Sequence, residues 1–141
     1  MISNGKFYES QFEEATIELL REAHWQYAFG DDIHRKYTDP LIEEDLRNFL
    51  AVQYKDKNLT TSEMDSIVAN LRNTGGQNDY YALRNTFLLY RDGYDFAYSD
   101  GRSNPFRLEY IDFEHPDHNI FRCVNQFVME QGRENRRPDI L

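Results

Sequence analysis

The stretch "GRENRRPDIL", Gly132 to Leu141, carries the reading on which the fold turns. A knot of charge, with Arg133, Arg136 and Arg137 inside five positions, gives way to Pro138-Asp139 and two aliphatic residues. Proline is tolerated at the first position of a strand, so Pro138–Leu141 reads as the opening of a strand with an acid at its start. An arginine cluster beside a carboxylate is also a chemical arrangement. Guanidinium forks hold phosphate oxygens, and a fixed carboxylate holds a divalent cation. A dipeptide is a thin signal, however, and taken alone Asp139 is more simply a turn or strand-start aspartate.

A strand needs partners, and the second half of the chain offers them. Tyr94, Phe96 and Tyr98 alternate with Asp95 and Ala97, the period of a half-buried strand. Asp100-Gly101 is a tight turn. Phe106, Leu108, Tyr110 and Asp112 then share one face of a strand, with Arg107, Glu109, Ile111 and Phe113 on the other. After a polar loop from Glu114 to Asn119, the segment Ile120–Met129 reads as one long strand. The expected sheet joins 106–113 with 120–130.

The first half is helical. Ser10 and Glu13 have capping-box spacing, which predicts a helix with Phe12, Thr16, Leu19, Leu20 and Ala23 as its core stripe. Trp25–Phe29 is a short strand turned by Gly30-Asp31-Asp32. Asp39-Pro40 predicts a second helix with proline at its first position and Leu41, Leu46, Phe49 and Leu50 inward. Thr60 to Glu63 is another capping box, followed by Met64, Ile67, Val68 and Leu71 on one face and stopped at Gly75-Gly76. A fourth helix from about Asp79 to Arg91 turns Leu83, Phe87 and Tyr90 inward and stops at Gly93. The fold class is therefore α+β, helices followed by a mainly antiparallel sheet. With no repeat, linker or low-complexity tract, residues 1–141 read as a single domain.

The totals bound the function. At 141 residues the chain can bury a real core, and 40% apolar with 29% charged residues is a globular profile. A net charge of −9 argues against a surface that coats nucleic acid at large, though not against a local basic site. No apolar run is long enough to span a bilayer, so no membrane partner is expected. One cysteine, Cys123, excludes an internal disulfide framework and suits a reducing, cytoplasmic location. Cys123 itself reads as a small buried hydrophobe.

Several stretches taken together resemble the N-terminal nuclease region of the restriction (R) subunit of type I restriction–modification enzymes. They are "YESQFEEATIELL", "GDDIHRKYTDPLIEEDLR", "LRNTGG", "NTFLLYRDG", Tyr110-Ile111-Asp112-Phe113 and "NIFRCVNQFVMEQGRENRRPDIL", in that order across nearly the whole chain. No one of them is specific; the set is. The resemblance implies a PD-(D/E)XK-like core that binds Mg²⁺ and cuts double-stranded DNA, in a complex with methylation and specificity subunits. In such proteins the Pro-Asp strand is followed by one bearing Glu-x-Lys. This sequence has none after Asp139, so the resemblance implies an incomplete core, a piece of a larger subunit that is inactive alone. ATP would serve a motor region that these residues do not include, since they contain no Gly-rich Gly-Lys-Ser/Thr loop.

The same resemblance assigns roles. Asp139 becomes the metal ligand. Glu13 becomes a second catalytic and metal-binding carboxylate, a role that competes with its place in the capping box; Glu9 and Glu18 rank below it. Arg136 and Arg137 become DNA-phosphate contacts, and Gln126 a residue lining the DNA site. Without the resemblance, the arginines are a solvated loop and Gln126 a partner for a buried backbone group. His115 and His118 lack a second ligand pair in sequence for tetrahedral zinc, which favours a solvated loop. Nothing in the sequence aims His34 at a substrate, and the tyrosines fall mostly on core periods. The rival reading is a non-catalytic relic that serves as a docking module.

Overall fold

The computed structural model describes residues 8–74 and 79–141. Its helices are α1 (Glu9–Glu22), α2 (Glu43–Gln53), α3 (Thr61–Arg72) and α4 (Asp79–Asp92). Its strands are β1 (Gln26–Phe29), β2 (Tyr94–Phe96), β3 (Phe106–Leu108), β4 (Arg122–Asn125), β5 (Met129–Gln131) and β6 (Glu134–Arg136). The architecture is α+β, as the sequence predicts. β2–β3 and β5–β6 are antiparallel ladders, and β1–β4 is a parallel one with Gln26 opposite Arg122 and Phe29 opposite Asn125. The described residues gather into two compact units: the part up to Ile42 together with Ile120–Leu141, and Glu43–Asn119. The Gly75-Gly76 helix stop lies outside the described residues.

In the first unit α1 packs on the β1–β4 ladder. Its start differs from the expected one. Gln11, not Glu13, reaches back to the preceding turn, where its Oε1 accepts the Tyr8 N–H at 3.1 Å. Glu13 is thereby released from capping. The inward face is Glu13, Ile17 and Leu20, one position round from the expected stripe, and Phe12 and Leu19 are 59% and 66% exposed. The pull is polar: Glu13 is hydrogen-bonded to β4, and that fixes the helix rotation. Nor does Pro40 open a helix. The Asp39 carboxylate accepts the Leu41 N–H at 3.0 Å, a side-chain turn, and α2 begins only at Glu43. Its first turn carries Glu43, Glu44 and Asp45, which suit the positive end of the helix dipole.

The second unit keeps its predicted core. Phe49 and Leu50 of α2 are buried, as are Ile67, Val68 and Leu71 of α3 and Phe96, Tyr98, Leu108 and Tyr110 from the strand segments. The alternation from Phe106 to Asp112 holds, with Asp112 buried. Gly93 ends α4 at φ +65°, and a Cβ there would stand 2.0 Å from the Leu108 carbonyl oxygen. On α4 itself the expected face is turned out. Leu83 and Phe87 are 74% and 59% exposed, and the smaller Ala82, Asn85 and Thr86 are half-buried instead.

Two sheet expectations are corrected. Residues 106–113 and 120–130 do not share a sheet, because β3 pairs with β2 and β4 with β1. Between them the loop closes on itself. The Asn119 side chain accepts the Asp112 N–H at 2.9 Å and donates to the Asp112 carbonyl at 2.8 Å, so no hairpin forms. The long strand Ile120–Met129 is also broken, at Gln126, whose φ is +56°.

The α3 cap is as predicted. Thr60 Oγ1 accepts the Glu63 N–H and Glu63 Oε1 accepts the Thr60 N–H, at 3.1 and 3.0 Å. Glu63 is buried and also paired with Arg102. The Arg102 guanidinium, followed by the Thr60 N–H, holds the Glu63 carboxyl down to about 2 from its ordinary 4.5. The unfolded chain thus takes up a proton near 4.5 that the folded chain refuses until about 2. Stability from this group is present above that window and is lost as pH falls through it. We expect the denaturation midpoint of Glu63→Gln, measured by circular dichroism, to vary less with pH between 4.5 and 2 than that of the parent. Equal slopes would show that the Glu63–Arg102 pair does not govern acid unfolding.

Candidate functional site

The site is built on β4, which is flanked on both edges. β1 lies parallel along one edge. On the other, Leu141 donates to the Val124 carbonyl at 2.7 Å and accepts from the Val124 N–H at 2.9 Å, and Asn125 bridges Ile140 in antiparallel sense. Where a strand is expected from Pro138, the chain forms a single bridge to β4 and no strand. Its side chains alternate all the same: Ile140 is half-buried and Asp139 faces solvent. Cys123 and Val124 beneath are buried, as the apolar pattern predicts for Cys123.

Beyond Asn125 the strand breaks. Gln126 adopts the left-handed conformation, which is unfavourable for a residue with a side chain and persists only where the surroundings fix it. Three neighbours do so. Its N–H donates to the Asp139 carbonyl at 3.1 Å. Gly30 lies against its backbone so closely that a Cβ on Gly30 would meet the Gln126 carbonyl oxygen at 2.2 Å. On the far side Phe127 is fully buried under the Arg35 guanidinium, whose carbon sits 3.5 Å above the ring. Arg35 also donates to the Val128, Lys36 and Asp39 carbonyls. It ties the chain just after the break to the Lys36–Asp39 turn.

The break aims the Gln126 amide between two carboxylates. Its Nε2 donates to Glu13 Oε1 at 3.2 Å and to Asp139 Oδ1 at 3.3 Å. Asn125 Nδ2 donates to the same Glu13 oxygen at 2.9 Å, and Asn125 is itself held by the Tyr27 hydroxyl at 2.8 Å. A third acid joins them. Hydrogen bonding and charge repulsion from Asp139 raise the Glu9 carboxyl above its ordinary 4.5. Like charges this close favour keeping a proton on one of them.

Of the residues singled out from sequence, Glu13, Gln126 and Asp139 therefore meet. Arg136 and Arg137 stay outside that contact. Arg136 ends the exposed β5–β6 hairpin and lies 3.5 Å from Glu134, and Arg137 is exposed just ahead of Pro138. His34 is exposed. Sequence reasoning missed Asn125, Tyr27, Gly30 and Arg35, and Glu9 lies close enough to Asp139 to feel its charge. Tyr27 faces Asn125 only through a ladder between distant segments, which one sequence does not reveal.

The donors around the Gln126 amide are hard oxygens, the set Mg²⁺ takes. The amide NH₂ stands between Glu13 and Asp139 and donates to both. With the amide turned over, Gln126 Oε1 would face the same point. The donor chemistry fits a divalent ion.

A protein-family model described as "Type I restriction enzyme R protein N terminus" matches residues 6–141. The chain is 28% identical over 144 residues to the Type I restriction enzyme HindI endonuclease subunit of Haemophilus influenzae. That match covers 94% of this chain and 13% of the relative's length. No solved structure matches.

The coupling of Glu9 to Asp139 is testable. In Asp139→Asn, a carboxyl-detected NMR titration should show Glu9 releasing its proton at lower pH than in the parent. An unchanged Glu9 titration would mean that the two side chains do not meet.

Proposed function

The chain belongs to the family of type I restriction enzyme R protein N termini, and on that premise we propose that it forms the opening part of a Mg²⁺-dependent DNA-cleaving domain. The observation that supports this reading is the convergence of Glu13 and Asp139 on the Gln126 amide nitrogen, at 3.2 and 3.3 Å. The neutral Gln126 amide leaves the like charges of two distant segments uncompensated, and a cation would compensate them.

In this reading Glu13 and Asp139 hold the ion, and Asn125 and Tyr27 keep Glu13 aimed. Gln126 sets the spacing of the two acids, and Asp139 raises the neighbouring Glu9 carboxyl above its ordinary value. Bound Mg²⁺ would activate water for attack on a phosphodiester and stabilise the departing oxygen. Arg136 and Arg137 meet backbone phosphates of double-stranded DNA as bidentate donors. The PD-(D/E)XK assignment further requires a Glu-x-Lys strand beside the Asp139 segment, and these residues contain none after Asp139. On their own they are proposed to bind the ion without cutting DNA. ATP is assigned to a motor region of the larger subunit, and the methylation and specificity subunits to its complex. The location is proposed as cytoplasmic; among the described residues no helix is long and apolar enough to cross a membrane.

One observation favours the rival docking module. α4 turns Tyr80, Leu83 and Phe87 outward along one side, an apolar stripe without a described cover. The two readings part on activity. In an R subunit bearing this region and assembled with its partner subunits, Asp139→Ala should leave ATP-driven translocation intact and abolish DNA cleavage. Arg136→Ala with Arg137→Ala should weaken DNA binding and flatten its salt dependence. Normal cleavage by the Asp139→Ala subunit would reject the nuclease reading in favour of docking.

A further inference from the structure

The loop that closes the second unit brings together a set of side chains that the nuclease reading does not use. Asp112, His115 and His118 recur three apart at the end of the β3 segment. Pro116–His118 forms a single 3₁₀ turn, and this lays the His118 ring on the His115 ring, with centroids 4.9 Å apart and planes 18° from parallel. Both Nδ1 atoms face the same oxygen. Asp112 Oδ2 is 3.1 Å from His118 Nδ1 and 3.6 Å from His115 Nδ1. One ligand atom from each residue lies within 4.8 Å of the other two.

The two oxygen–nitrogen distances lie close to those of a tetrahedral ion. Ligands held at about 2.0–2.1 Å in tetrahedral array are about 3.3–3.4 Å apart, and the two oxygen–nitrogen separations fall on either side of that value. The carboxylate is already oriented. Asp112 is buried; its Oδ1 accepts the Glu114 and His115 N–H groups at 3.0 and 2.9 Å, and its Oδ2 accepts Gln53 Nε2 at 2.7 Å. An outer donor that fixes a ligating carboxylate in this way is a regular feature of metal sites. The two imidazoles lie on the solvent side, so a fourth position is open to water.

We propose that Asp112, His115 and His118 bind one divalent transition ion of the Zn²⁺ type, through Asp112 Oδ2 and the two Nδ1 atoms, with water as fourth ligand. Two imidazoles and a carboxylate select Zn²⁺, Co²⁺, Ni²⁺ or Cu²⁺ over Mg²⁺, so this ion is distinct in kind from the one proposed between Glu13 and Asp139. The site shares no residue with that one and stands whether or not the nuclease reading does. Binding ties the Glu114–Asn119 loop to the buried end of the β3 segment and stabilises the folded chain by mass action.

The test is a calorimetric titration of Zn²⁺ into the metal-free 141-residue chain, in a non-chelating buffer with millimolar Mg²⁺ present. The expected result is one ion per chain at micromolar affinity, with a rise in the thermal midpoint. His115→Ala and His118→Ala should each weaken binding at least about tenfold, and His34→Ala should leave it unchanged. Both loop histidines are solvent-facing, so these variants should keep the parent's circular dichroism; Asp112→Asn, at a buried and hydrogen-bonded position, is not needed. Absence of saturable Zn²⁺ binding at micromolar ion would overturn the proposal. So would binding that persists unchanged in the double variant His115→Ala/His118→Ala.

Discussion

Gln126 holds a left-handed backbone at φ +56°, and the arrangement around it follows from that turn. A continuous strand from 120 to 129 would send successive side chains to opposite faces and carry the Gln126 amide along the sheet. The break re-aims it. Gly30 leaves room for the turned backbone, the Asp139 carbonyl takes its N–H, and Arg35 stacked on Phe127 holds the chain beyond it. Each of the three is modest on its own. Together they over-determine one residue, the usual condition for strained backbone at a working site.

The electrostatics follow from the same turn. Glu13 enters from α1 and Asp139 from the edge segment, and the amide between them is neutral. It supplies hydrogen bonds without charge compensation. The remaining repulsion appears at Glu9, whose carboxyl is raised by Asp139. The acids are thus tolerated rather than neutralised, unlike Glu63, which Arg102 stabilises as a carboxylate. A cation between Glu13 and Asp139 would offset the charge of Asp139 that raises the Glu9 carboxyl.

Local signals in the sequence carried through where one local interaction decides them. The Thr60–Glu63 box, the alternation from Phe106 to Asp112 and the Gly93 stop each have a signal within a few residues, and all three are present. The Ser10–Glu13 box has the same spacing and did not form, because Glu13 has stronger partners in Asn125 and Gln126, more than a hundred positions away. The rotation of α1 followed from that choice, leaving Phe12 and Leu19 outside. The parallel β1–β4 pairing and the break at Gln126 are set by Gly30, Tyr27 and Arg35, whose contacts with β4 and the residues after it are non-local. The family resemblance singled out Asp139, Glu13 and Gln126, which lie together in the structure, while their neighbours Asn125, Tyr27, Gly30 and Arg35 carry no local signal in the sequence. The Asp112–His115–His118 cluster was discounted because the third ligand lies outside the His-Pro-Asp-His stretch.

The claim that one oxygen-lined cation position lies between Glu13 and Asp139 can be read directly by paramagnetic NMR. Mn²⁺ is a hard ion that takes the oxygen ligands Mg²⁺ takes, and it broadens nearby resonances. Titrated at low occupancy into the 141-residue chain, it should first broaden the Gln126 side-chain amide and the backbone amides of Gly30, Asn125 and Asp139. Excess Mg²⁺ should restore them, and Glu13→Gln with Asp139→Asn should abolish the effect. Broadening that spares the Gln126 amide, or that survives in the double variant, would contradict the account.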